Sequence, residues 1–222
     1  MEEALDVVST FVLFFLPAGL CGSGGIFSMR RRTKSSLNAD ELDKFFRATG
    51  SIPKEIMPAF LEAVGAVVLA WGTLEIALHL IVVTAYDDGG GKCMGEEFPR
   101  ALKRKTSFLR KACKKLPSVV LFADEIISLA REIDDLSDRR NEVIHSIVTG
   151  FDNVTERIDF TSLDANKDGH LIKVSRYSVL EMNQLSLECA RLGGVVAQFH
   201  DRFHDGVMAQ TEANNSSGAI TS

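Results

Sequence analysis

Three polar side chains near the middle of the chain have the types and spacing needed for proton transfer at a phosphate ester. Arg140, Asn141 and His145 fall within six residues of one another. A histidine exchanges protons near neutral pH, and the planar fork of an arginine matches phosphoryl oxygens. The pattern predicts that His145 moves a proton, that Arg140 binds negative charge, and that Asn141 orients the imidazole or the phosphate.

These residues fall late in a predicted amphipathic helix. Apolar residues recur at helical spacing over residues 119–147, and Arg140 lies on their stripe, where an unpaired charge is costly. Arg140 and His145 are five residues apart, which separates them by about 140° on an ideal helix. They can therefore meet only if the long stem of Arg140 bends round, or if the helix ends near His145.

An upstream helix, predicted from Pro53 to Tyr86, offers a partner for Arg140. Glu75 is the only charged residue between Glu62 and Asp87. Trp71, Glu75 and His79 follow one another at four-residue spacing and form one stripe. We therefore expect Glu75, supported by His79, to lie beside the arginine.

The same helix contains an apolar run of 24 residues, 63–86, which is long enough to cross a membrane. A carboxylate at the middle of such a span is expensive in lipid. We therefore favour a helix buried at the centre of a bundle, with a membrane-associated helix as the alternative.

A basic helix is predicted from Glu96 to Lys115. Its cations include four candidates for binding a nucleic-acid backbone: Lys103, Arg104, Arg110 and Lys111. Because the net charge is −5, any such contact must be local. The alternative is a solvated face that complements an acidic patch on the following helix, formed by Glu132, Asp134, Asp135 and Asp138.

After His145 the hydrophobic period changes from that of a helix to that of a strand. The alternation predicts a small β-hairpin or meander inserted before a last helix over residues 178–203. Ser178 and Glu181 have the spacing of a capping box at the start of that helix. Residues 207–222 are polar and rich in Ser and Asn, and a disordered tail is predicted for them.

Residues 1–51 differ from the rest and are interpreted as a leader. Their apolar stretch, 11–20, is too short for a membrane span, and the acidic start does not fit a signal peptide. Either translation starts at Met29 or the segment is a true leader, and a short helix is predicted over 38–49. The four cysteines are scattered without metal-ligand spacing, so we expect no zinc or other metal site and a reducing cytoplasm.

The segment Arg140-Asn141-x-x-x-His145 resembles the Arg-x(4–6)-His motif of HEPN domains, in which a polar residue follows the arginine. The apolar helix around Trp71–Glu75 is similar to the first bundle helix of several HEPN groups. The resemblance covers about residues 52–206 and implies a mainly α fold, a HEPN-like helical bundle carrying the small hairpin.

The resemblance also implies a function: a metal-independent endoribonuclease that needs no cofactor and cleaves RNA by 2′-hydroxyl attack, leaving a 2′,3′-cyclic phosphate. Such proteins often act as toxins or defence components, with an antitoxin or a nucleotidyltransferase as partner. Since one histidine cannot comfortably serve as both base and acid, catalysis implies a homodimer with two motif helices face to face. The alternative is a non-catalytic HEPN-like module that binds a protein or a nucleotide, with Arg140 paired to Glu75 and His145 capping its helix.

Overall fold

The computed structural model describes residues 31–34, 52–95, 97–166 and 169–218. Within these ranges the protein is mainly α, as expected from the sequence. The helices are α1 (Met57–Asp87), α2 (Leu102–Lys115), the short α3 (Pro117–Val120), α4 (Ala123–Ile144) and α5 (Val179–Gly218), with a 3₁₀ turn at Gly91–Met94. The strands are β1 (Arg31–Lys34), β2 (Ile147–Asp152), β3 (Arg157–Asn166) and β4 (Gly169–Tyr177).

The strands form one antiparallel sheet in the order β1-β4-β3-β2. The predicted meander between the motif helix and the last helix is confirmed as β2, β3 and β4. Strand β1 comes from the predicted leader and pairs along Leu171–Val174 of β4, so part of that segment belongs to the fold. The apolar stretch 11–20 and the predicted helix 38–49 lie outside the described residues.

The sheet packs against the start of α1 through aromatic side chains. The rings of Phe60 and Phe160 are 6.2 Å apart between centroids, and Phe160 meets Tyr177 edge-on at 5.9 Å. Ile158 and Phe160 are almost fully buried in this contact layer. The β-meander is thereby joined to the helical core at the end where α4 stops.

Helix α1 is buried on one face only, where it packs chiefly against α5. Val67, Leu74 and Ile81 are at most 2% exposed, whereas Leu69 on the other face is 75% exposed. Within the described residues, the expected burial at the centre of a bundle is therefore wrong for the face that carries Leu69, because the described helices that contact α1 pack against its opposite face. In the part of the chain described, α1 is the one helix long and apolar enough to cross a membrane.

Helix α5 begins as predicted and ends much later. Its capping box is confirmed: the Glu181 carboxylate accepts from the Ser178 backbone N–H at 2.8 Å, and Ser178 Oγ accepts from the Glu181 backbone N–H at 3.2 Å. The helix continues through Phe203 and Val207, both fully buried, to Gly218. The predicted disorder from residue 207 is therefore wrong as far as 218, and residues 219–222 lie outside the described part.

Candidate active site

Arg140 and His145 meet at the end of helix α4. The helix stops at Ile144, and the backbone N–H of His145 donates the last helical hydrogen bond to the Asn141 carbonyl at 3.0 Å. Because the helix ends before His145, the 140° separation from Arg140 that a continued helix would impose does not apply to the imidazole. Its Nε2 lies 2.8 Å from Nη1 of Arg140, so a bent arginine stem and a helix end both contribute to the contact.

The direction of this hydrogen bond fixes the form of the imidazole. Arginine can only donate, so Nε2 of His145 is the acceptor and Nδ1 carries the ring proton. The Nε2 lone pair therefore points at the guanidinium. His145 is exposed to solvent and Arg140 is half-buried, so a ligand can reach the imidazole from outside.

The indole ring of Trp71, on α1, packs against the guanidinium of Arg140. The Arg140 guanidinium carbon lies 5.6 Å from the centroid of the indole ring, a distance typical of a cation–π contact. Within the described residues, Nε of Arg140 is buried without a hydrogen-bond partner. The inward face of α4 thus holds its charge against an aromatic ring.

Asn141 positions the guanidinium and not the imidazole. Its Oδ1 accepts a hydrogen bond from Arg140 Nη1 at 3.0 Å, and its Nδ2 donates to Ser137 Oγ at 3.5 Å. Of the two roles expected for this residue, orienting the imidazole has no support in these contacts. The Asn141 amide instead holds Nη1 of Arg140 between its own Oδ1 and Nε2 of His145.

The predicted ion pair between Arg140 and Glu75 is wrong. The Glu75 carboxylate accepts from the indole N–H of Trp71 at 3.2 Å and lies 3.8 Å from Nζ of Lys105. Lys105 is only 5% exposed, so it has the stronger need for this carboxylate. Trp71 is the shared element, since its ring face contacts Arg140 and its N–H contacts Glu75.

His79, expected to support this group, instead packs against Phe98. The two rings meet edge-on with centroids 5.4 Å apart. His79 lies two turns beyond Trp71 along α1, and its ring contact is with the segment that leads into α2. It is therefore a neighbour of the site on the same helix and not part of it.

A polar cleft of about 320 Å³ runs between α2 and α4 beside the motif. Its lining residues are Lys103, Thr106, Arg110, Asp134, Asp135, Ser137 and Asp138. Arg110 is bound to the Asp134 carboxylate at 2.7 Å, as the complementary-face alternative predicts. Lys103 shares the cleft, whereas Arg104 and Lys111 are exposed on helix α2 and are not among its lining residues.

A buried carboxylate inside the motif was missed by the sequence analysis. Glu142 is 4% exposed and contacts Lys173 Nζ and the Tyr177 hydroxyl, each at 2.7 Å. Burial alone would raise the pKa of Glu142, but the hydrogen bonds from Lys173 and Tyr177 outweigh it and hold the pKa below its usual value. The network ties the motif helix to strand β4.

One sequence signal could have revealed this network. Lys173, Ser175 and Tyr177 alternate along β4 and so share one face of the sheet. Tyr177 and Ser175 are buried on that face, and a lysine among buried neighbours requires a carboxylate partner. Glu142 lies on the inward side of α4 and supplies it.

Comparisons with protein-family models, with curated proteins and with solved structures found no match to this chain. The resemblance to HEPN domains therefore rests on the motif residues and their context alone. Within the described ranges, no group of three or more His, Cys, Asp or Glu side chains is arranged to hold a metal ion.

Proposed function

We propose that this protein is a HEPN-type, metal-independent endoribonuclease. The observation that carries the proposal is the 2.8 Å contact between Nη1 of Arg140 and Nε2 of an exposed His145. It joins a proton acceptor and a phosphate-binding fork at one point of the surface. Because RNA carries its own nucleophile, these two groups can supply two of the functions that cleavage needs from a protein, proton removal and stabilisation of charge on the phosphate.

In the proposed reaction, Nε2 of His145 takes the proton of the 2′-hydroxyl next to the scissile phosphate. The 2′-oxygen then attacks phosphorus while the bond from phosphorus to the 5′-oxygen breaks, which leaves a 2′,3′-cyclic phosphate and a 5′-hydroxyl end. Arg140 turns its fork from the imidazole to the phosphoryl oxygens and stabilises their added charge. The stack on Trp71 and the bond to Asn141 limit how far the guanidinium travels.

The leaving 5′-oxygen requires a proton from a second acid. His145 holds the proton it has just taken, so the simplest source is the His145 of a second copy of the chain. We therefore include a homodimer in the proposal. A toxin or defence role in the cytoplasm, with an antitoxin or a nucleotidyltransferase as partner, follows from the HEPN resemblance.

The cations of α2 would guide the RNA. Arg104 and Lys111 lie seven residues apart on exposed positions of that helix and offer charge to a passing backbone. Lys103 and Arg110 share the cleft with three aspartates, and Arg110 is already paired with Asp134, so both offer less positive charge to a phosphate. Lys103 and Arg110 are therefore expected to contribute less to RNA binding than Arg104 and Lys111.

The test is RNA cleavage in excess EDTA by the wild type and by His145→Ala. We expect cleavage by the wild type to persist with the chelator, and the variant to be slower by about 10²- to 10⁴-fold, as is usual when a general acid or base is removed. His204→Ala, which removes a half-buried histidine from α5, is the matched control and should cleave at the wild-type rate. Wild-type cleavage that stops in EDTA, or a fully active His145→Ala protein, contradicts the proposal.

A second candidate is the non-catalytic HEPN-like interaction module. It is favoured by the use of Nη1 of Arg140 entirely within its own motif, and by the three aspartates in the neighbouring cleft. In that case His145 serves to end helix α4. A well-folded wild-type protein that cleaves none of several RNAs supports this candidate over the nuclease.

A further inference from the structure

Helix α1 carries an apolar face that the described part of the chain leaves uncovered. Four large side chains on it are between 42% and 75% exposed: Leu61, Leu69, Ile76 and Leu80. At 100° per residue these positions fall within an arc of about 100°. Gly65 and Gly72 lie in the same arc, and a side-chain carbon added at either would meet no neighbouring atom within 4 Å. Grouped apolar exposure of this kind marks a contact surface, here called the open face.

The leader contains a second apolar element, residues 11–20. This run holds three phenylalanines and three leucines and no charged side chain. It is too short to span a membrane. Contact with another apolar surface would remove its side chains from water, and the open face of α1 offers such a surface on the same chain.

Strand β1 fixes where the leader joins the fold. Arg31, Val174 and Thr161 lie in one row across β1, β4 and β3, and neighbouring strands are about 4.8 Å apart. Thr161 follows Phe160, whose ring lies 6.2 Å from that of Phe60 at the start of α1. The chain before residue 31 therefore joins the sheet close to the end of α1 where the open face begins.

The length of chain before β1 lets the run reach the open face. Ten residues, 21–30, separate the run from β1, and they can span up to about 33 Å. The open face extends from Leu61 to Leu80, which is about 29 Å at 1.5 Å per residue. The run can therefore lie along the face while β1 stays paired with β4.

The covalent link favours the leader over a separate partner. A segment joined by a short linker binds at an effective concentration on the order of mM, which a separate chain at micromolar concentration does not approach. The shapes also agree. A phenylalanine ring of the run can enter where Gly65 or Gly72 leaves space, because glycine permits close approach to the helix backbone.

We propose that residues 11–20 of the leader pack along the open face of α1 in the same chain. Trp71, against which Arg140 packs, lies roughly 130° round the helix from the centre of this face. The packed leader therefore leaves the motif accessible, and the inference does not require RNA cleavage. It extends the finding that β1, from the same leader, belongs to the sheet.

The test is cysteine cross-linking in the full chain. Cys93→Ser removes an exposed thiol, and Cys21, which directly follows the run, is then the probe on the leader. Leu69→Cys places a second thiol on the open face. Leu121→Cys, at a similarly exposed position between α3 and α4, is the matched control. With a short bismaleimide, we expect Cys21 to cross-link to position 69 of its own chain at least about ten times faster than to position 121.

A variant of the run separates packing from simple reach. Phe14→Asp combined with Phe15→Asp places two charges in the run and leaves the linker unchanged. We expect its cross-linking rate at position 69 to fall at least about tenfold, to the rate at position 121, because an unpaired carboxylate is costly on an apolar surface. Ser9→Asp, which adds a charge just before the run, is the matched control and should cross-link like the parent protein.

Several results overturn the inference. They are equal rates at positions 69 and 121, a doubly charged run that cross-links as fast as its parent, and products that join two chains instead of two sites of one chain. The last result assigns the open face to a second copy. Phosphatidylcholine vesicles that bind the full chain and abolish the cross-link at position 69 assign the face to lipid, and this outcome likewise overturns the inference.

Discussion

The buried carboxylate of Glu142 provides a test of how the motif helix is held to the sheet. Glu142→Gln keeps the shape of the side chain and an oxygen that can accept from Tyr177, but it removes the charge that faces Lys173. The Lys173 side chain is only 18% exposed, so its ammonium loses its partner in a mostly buried setting. Removing one member of a buried pair costs about 3–5 kcal/mol, and the partial exposure of Lys173 places our estimate at about 3 kcal/mol.

For a domain of this size, a loss of about 3 kcal/mol lowers the melting temperature by about 6–12 °C. The pH dependence gives the sharper readout. The folded pKa of Glu142 lies below its ordinary value of 4.5, so its contribution is fully present above about pH 4.5 and is lost as the pH falls through the folded pKa. The gap in stability between wild type and variant should therefore be widest at neutral pH and close in acid.

The assay is urea unfolding of both proteins at a series of pH values. Glu125→Gln is the matched control, because Glu125 forms an exposed ion pair with Arg202 at 2.6 Å, and such pairs contribute about 0–1 kcal/mol. Equal stability of wild type and Glu142→Gln at neutral pH would refute the reasoning. So would a gap that stays constant into strong acid, since that would assign the loss to packing and not to charge.

Two further predictions concern packing and reactivity. Gly206→Ala should destabilise the protein by about 1–3 kcal/mol, because its new Cβ would lie 2.5 Å from Cζ of Phe122. Gly194→Ala has open space around the new Cβ and should be neutral or stabilising by up to about 1 kcal/mol. Denaturant titration measures the free energy of unfolding of both variants, and equal effects would contradict the prediction. In a protein carrying Cys21→Ser, a thiol reagent at neutral pH should modify exposed Cys93 first and leave Cys189 unreacted until the protein unfolds. The reason is that burial raises the pKa of the Cys189 thiol to about 11. Rapid modification of Cys189 in the folded protein would contradict this prediction.

Local patterns predicted much of the fold because they depend on neighbours in sequence. The change of hydrophobic period after His145 located the meander, and the Ser178–Glu181 spacing located the start of α5. Both features depend on residues a few positions apart. The contact of Arg140 with His145 was also within reach, since a helix ending near His145 was one of the two arrangements that could bring them together.

What the sequence did not reveal depends on contacts between distant segments. Glu75 was expected to serve Arg140, but buried Lys105 takes its carboxylate, and only the packing of α2 against α1 decides between them. The pairing of β1 with β4 is equally non-local. The end of α5 was predicted too early. The polar composition of residues 207–222 was given more weight than the apolar Val207, which the structure buries.

The end groups of the RNA products test the central claim most directly. Wild-type protein incubated with RNA in EDTA should leave 2′,3′-cyclic phosphate and 5′-hydroxyl ends, because in the proposed reaction Arg140 and His145 act on a nucleophile that belongs to the RNA. The same ends should be absent with His145→Ala. Products with 3′-hydroxyl and 5′-phosphate ends, or intact RNA after incubation with well-folded wild type, would contradict the account.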